Sequence, residues 1–76
     1  MDGPLRLDLR GLNCPLPVLK TRRAMARLPV GATVVVEATD PLSGLDIPNF
    51  CREDGHRLLE QAVSDGVFRF VIARGG

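Results

Sequence analysis

The residues with chemical potential cluster in one short stretch, Arg10-Gly11-Leu12-Asn13-Cys14-Pro15-Leu16-Pro17-Val18-Leu19-Lys20. Its strong nucleophile is the thiol of Cys14, whose reactivity depends on how much of it is thiolate. Gly11 breaks an alternating segment and an amphipathic one begins at Pro15, so Cys14 falls at the N-cap of a helix or beside it. Pro15 suits the first helical position, because its φ is already helical and its missing N–H has no partner to lose. Pro17 is tolerated in the same turn for the same reason. Asn13, Pro15 and Pro17 then form a stiff cap around the sulfur. A thiol there meets the positive end of the helix macrodipole, which favours thiolate. Arg10, Lys20, Arg22 and Arg23 lie within ten residues and add positive potential. The pattern reads as a reactive cysteine; the alternative is a buried structural one, the commoner fate of a free thiol.

Other chemistries find little support. Cys14, Cys51 and the lone His56 match no zinc spacing and are too few for a closed site, so no metal and no cofactor are expected. No Ser/His/Asp set or carboxylate pair suggests hydrolysis. Cys51 shares a helical face with Ile47 and Phe50, so it reads as a core residue rather than a resolving thiol.

The elements that must hold Cys14 follow from periodicity. Leu5, Leu7 and Leu9 alternate with Arg6 and Asp8, as in a strand with one wet face. A helix from Pro15 to about Leu28 carries Val18, Thr21, Met25 and Leu28 as its core stripe, with Ala24 beside it. Pro29-Val30-Gly31 ends that helix. Ala32–Ala38 is β-branched and apolar, a central strand, and Thr39-Asp40-Pro41 closes it. After a loop at 42–45, Asp46 is the expected N-cap of a short second helix, with Pro48 in its first turn and Gly55 at its C′ position. Arg57–Val63 and Val67–Ala73 flank Ser64-Asp65-Gly66, a hairpin signal. Phe68, Phe70 and Ile72 point one way, Arg69 and Val71 the other.

The order β-α-β-α-β-β in 76 residues implies one domain, residues 1–76. Its fold class is α+β: a two-layer α/β sandwich with a four-stranded mixed sheet and both helices on one face. A hydrophobic content of 45% is enough for a core without staples. Ten basic residues against nine acidic leave +1, too balanced to suggest nucleic-acid binding. There is no apolar run long enough for a membrane span, and Met1-Asp2-Gly3-Pro4 does not open like a signal peptide. With two cysteines, that points to a reducing, cytoplasmic setting.

Leu9-Arg10-Gly11-Leu12-Asn13-Cys14-Pro15-Leu16-Pro17, with its Cys-Pro-x-Pro core, resembles the signature of the TusA/SirA family of small sulfur carriers. The likeness continues through Asp40-Pro41, Asp46-Ile47-Pro48-Asn49-Phe50-Cys51, Gly55-His56 and Arg74-Gly75-Gly76, covering nearly the whole chain in order. The resemblance implies the same two-layer fold. It also implies that Cys14 accepts sulfane sulfur as a persulfide from a donor such as a cysteine desulfurase and relays it to an acceptor protein. Family uses include tRNA thiolation, sulfur oxidation and molybdenum-cofactor enzymes. Such a protein is a sulfurtransferase-type relay rather than a stand-alone catalyst. Arg10, Lys20, Arg22 and Arg23 then become candidates for docking an acidic partner.

Two rival readings come from other features. The terminal Gly75-Gly76 could mark a ubiquitin-like carrier that uses an activated carboxylate, although that fold opens with a hairpin and this chain opens β-α. Solvated tail glycines are the simpler expectation. The two-layer fold and Phe68-Arg69-Phe70 could also mark a nucleic-acid-binding module, although stacking needs exposed aromatics and a basic groove.

Overall fold

A computed structural model describes residues 4–76. Met1-Asp2-Gly3, most of the stretch read as unlike a signal peptide, lies outside the described residues. The elements are β1 (Leu5–Leu9), α1 (Leu16–Ala26), β2 (Thr33–Ala38), α2 (Ser43–Asp54), β3 (Arg57–Ser64) and β4 (Val67–Ala73). The strands form one mixed sheet in the order β1-β2-β4-β3. β1 runs parallel to β2, and β4 is antiparallel to both β2 and β3. This is the α+β sandwich that the order of patterns implied.

The core follows from period two on the strands and the wider stripe on the helices. Val34, Val36, Phe70 and Ile72 face one way, paired across the sheet as Val34 with Ile72 and Val36 with Phe70. Met25 from α1 and Ile47, Phe50 and Cys51 from α2 close over them, so both helices cover the same face. Each fully buried apolar side chain of this size contributes about 1.5–3 kcal/mol. Thr21 enters the core because its hydroxyl donates to the Pro17 carbonyl at 2.7 Å, so its own donor is met. Pro17, Thr21 and Met25 form the fully buried stripe of α1, with Val18, Ala24 and Leu28 partly covered at its margins.

Three local expectations shift. α2 begins at Ser43 with Leu42 as its cap, so the four residues expected as loop are the cap and first turn of the helix, and Asp46 lies inside that turn rather than at the cap. Pro48 is therefore interior, and the Gly44 carbonyl it cannot bond instead accepts from the Gln61 side chain at 3.5 Å. Ser64 belongs to β3 and pairs with Val67, leaving a two-residue turn of Asp65 (φ 51) and Gly66 (φ 78). Both positive φ values match the primed turn whose twist suits a hairpin.

Candidate functional site

Because β1 and β2 are parallel neighbours, the loops leaving them emerge side by side at one end of the sheet. Cys14 sits on the first of these loops and is bound to the second. The Gly11 amide donates to Thr39 Oγ1 at 2.8 Å, and the Cys14 amide donates to Asp40 Oδ2 at 3.1 Å. Gly11 takes φ +83, a conformation open to glycine at no steric cost, which turns the chain from β1 back toward this pin. The Leu16 amide then bonds the Asn13 carbonyl at 2.9 Å, and the Leu19 amide bonds Pro15 O at 3.1 Å to start α1.

The helix starts one residue later than the sequence implies. Pro15 is the N-cap, joined to Cys14 by a cis peptide, and Leu16 is the first helical residue. Cys14 therefore precedes the cap. Asn13 supplies its carbonyl, while no side chain caps the helix. Pro17 is buried beneath the first turn and packs there, in addition to stiffening the cap.

The electrostatics of the sulfur run opposite to expectation. Cys14 is exposed, as a reactive thiol requires, and its S–H donates to Asp46 Oδ2 at 3.4 Å. That hydrogen bond, with local desolvation and the negative charges of Asp46 and Asp40, raises the thiol above its ordinary value. The positive potential expected from nearby basic residues does not reach it. Arg10 turns back onto Asp8 in a two-pronged ion pair at 2.8 and 2.9 Å, holding that carboxyl down to about 2. Arg22 bonds Asp54 at 3.3 Å and lies 5.0 Å over the Phe50 ring. Lys20 and Arg23 instead line a groove between β1 and α1, floored by Leu7, Leu9, Leu16, Leu19 and Ala24.

The other candidates separate cleanly. Cys51 is buried, with its thiol pushed up to about 11 by desolvation and Asp54, so it is an inert core residue. His56 is not a free surface group: it stands 5.2 Å from the Phe50 ring, and its Nδ1 accepts the Gly75 amide at 3.0 Å. The tail glycines are correspondingly not both solvated. Gly75 is half-buried against the C-terminal end of α2, where a Cβ would overlap the Gly55 carbonyl oxygen. Phe70 is buried on the helix-covered face and Phe68 is half-buried beside it, which removes the exposed stacking platform that nucleic-acid binding requires. Among the described residues no group of three or more His, Cys, Asp or Glu side chains could hold a metal ion.

Thr39, Asp40 and Asp46 are site residues that the sequence reading did not assign. A signal existed for the first two: in a parallel β-α-β unit, whatever follows the second strand lies beside whatever follows the first. Asp46 gave none, because its reach to the sulfur depends on where α2 begins.

The family model described as Sulfurtransferase TusA matches residues 5–74. Two relatives from Neisseria meningitidis, "Putative sulfur carrier protein NMA0882" of a serogroup A strain and "Putative sulfur carrier protein NMB0681" of a serogroup B strain, are each 44% identical over 66 residues. Each alignment spans 87% of this chain and 89% of the relative. The crystal structure of the SirA-like protein from Desulfitobacterium hafniense superposes with a TM-score of 0.83 at 27% identity, covering 95% of this chain and 99% of that one. With the family model matching nearly the whole chain and the fold in accord, the chain belongs to the TusA sulfurtransferase family.

Proposed function

We propose that this protein is a sulfur carrier that accepts sulfane sulfur on Cys14 as a persulfide, from a donor such as a cysteine desulfurase, and relays it to an acceptor protein. The observation that carries this reading is the contrast between its two thiols: Cys14 is exposed on a pinned loop, and Cys51 is sealed in the core. A carrier needs an accessible nucleophile and no second thiol within reach, because a neighbour would discharge the persulfide as a disulfide. The names of the meningococcal relatives support the same role. Lys20 and Arg23, beside the apolar groove on α1, are the basic groups we assign to docking an acidic donor surface. Arg10 and Arg22 are secondary, being engaged by Asp8 and Asp54. Asn13, Pro15 and Pro17 hold the approach to the sulfur. The setting we infer is the cytoplasm; no described helix is long and apolar enough to cross a membrane.

The test is intact-mass analysis after incubation with a cysteine desulfurase and cysteine. We expect a reducible one-sulfur adduct that maps to Cys14, is absent in Cys14→Ser and persists in Cys51→Ala. Equal loading of wild type and Cys14→Ser would refute the assignment. Which acceptor is served, tRNA thiolation included, is decided by transfer from the loaded carrier to candidate acceptors.

A further inference from the structure

Two carboxylates face the sulfur. Asp46 is half-buried in the first turn of α2, its backbone fixed by the hydrogen bond its amide donates to the Leu42 carbonyl at 2.8 Å, and its Oδ2 lies 3.4 Å from Cys14 Sγ. Asp40, on the loop before α2, holds the Cys14 amide at 3.1 Å. From the thiol's own loop the charged side chain is Arg10, which is turned onto Asp8. The opening turn of α1, Leu16-Pro17-Val18-Leu19, carries no charge. A fixed carboxylate beside an exposed thiol is an unexpected neighbour for a nucleophile, since it opposes the thiolate that reacts.

We propose that Asp46 is a positioning residue that takes the hydrogen bond of the Cys14 S–H, holding the free carrier's sulfur as an aimed, uncharged thiol until a cationic group of the partner displaces or neutralises the carboxylate. The role in transfer rests on the persulfide reading above; the holding of the thiol does not. In the transfer step Cys14 Sγ attacks the outer sulfur of the donor's persulfide. The donor's S–S bond breaks as the one on Cys14 forms, and the donor cysteine leaves with the electron pair as a thiolate. That thiolate takes up the proton that Cys14 releases once the partner has drawn Asp46 away. Oxidation level is exchanged between two cysteines, so no outside oxidant is consumed. A free carrier guarded in this way reacts slowly with stray electrophiles and disulfides, and the complementary partner surface carries Lys, Arg or protonated His opposite Asp46 and Asp40.

The experiment is the pH dependence of alkylation of the full chain by iodoacetamide, with adducts mapped by peptide mass so that Cys51 is counted apart. For wild type the midpoint at Cys14 lies above that of an ordinary thiol. In Asp46→Asn and in Asp46→Ala it moves down, and alkylation at neutral pH rises severalfold as the thiolate fraction grows. Asp65→Asn, the same charge change at the hairpin turn, leaves the midpoint where it was. A midpoint in both Asp46 variants equal to or above that of wild type overturns the proposal, as does an equal downward shift in Asp65→Asn. The readout uses no sulfur donor, so it fails or succeeds independently of whether Cys14 loads.

Discussion

At position 14 accessibility and charge pull in different directions. Exposure of the thiol was legible from the Cys-Pro-x-Pro stretch, because a glycine break followed by prolines ends a strand and caps a helix locally. Its charge environment was not legible, since Asp40 and Asp46 are 26 and 32 residues away and reach it only through the fold. Sequence proximity misled in the same way for the basic residues. Arg10 is four positions from Cys14 yet is spent on Asp8, whereas Lys20 and Arg23 share an apolar groove. Lys20→Ala and Arg23→Ala should therefore each slow loading from an acidic donor by about two- to five-fold, as exposed charges worth up to about 1 kcal/mol would. They should also flatten the dependence of the loading rate on salt, because rim charges act mainly on association. Arg10→Ala should change neither. Loading kinetics at two ionic strengths check this, and an Arg10 effect as large as the other two would reverse the ranking.

Between elements, what fixes the site is the side-by-side exit of β1 and β2. Thr39 and Asp40 take two amides of the Cys14 loop, so the segment after β2 acts as a clamp on the segment after β1. Strand and helix identities were readable because each carries its own apolar period, and the parallel pairing followed from the β-α-β order. Element boundaries were less so. Pro15 and Asp46 each look like a helix start, but α1 begins one residue after Pro15 and α2 begins three before Asp46. In both cases backbone bonds decide: Leu16 N to Asn13 O, and Ser43 N to Asp40 O. Removing the clamp should loosen the loop more than the sheet. Asp40→Ala should lower stability by about 1–2 kcal/mol and Thr39→Ala by about 1 kcal/mol, typical of one hydrogen bond to a charged and to a neutral acceptor. Denaturant midpoints measure both. Amide exchange at Gly11 should accelerate in Thr39→Ala and at Cys14 in Asp40→Ala, with the β2–β4 ladder still protected.

Across the whole molecule the chain closes on itself at the end remote from the sulfur. Arg74 donates to the Ala26 and Leu28 carbonyls, placing a cation at the C-terminus of α1, where the helix dipole favours it. Its backbone exchanges hydrogen bonds with Gly31 and Ala32, and the next residue, Gly75, lies on the Gly55 turn and donates to His56. The layered fold was legible because its apolar periods sum to one core. This tail was not, because three residues of Arg-Gly-Gly carry no period. Gly75→Ala should cost about 1–3 kcal/mol, the usual penalty for forcing a methyl into filled space. Deleting the exposed Gly76 alone should cost nothing measurable. Neither change should alter loading of Cys14: α2, of 12 residues, is about 18 Å long and separates the tail from the thiol. A ubiquitin-like carrier would behave in the opposite way, losing all loading with the terminal glycine while a methyl at position 75 cost it little stability. Thermal denaturation together with adduct mass on these two variants decides between a tail that fastens the fold and a tail that carries the cargo.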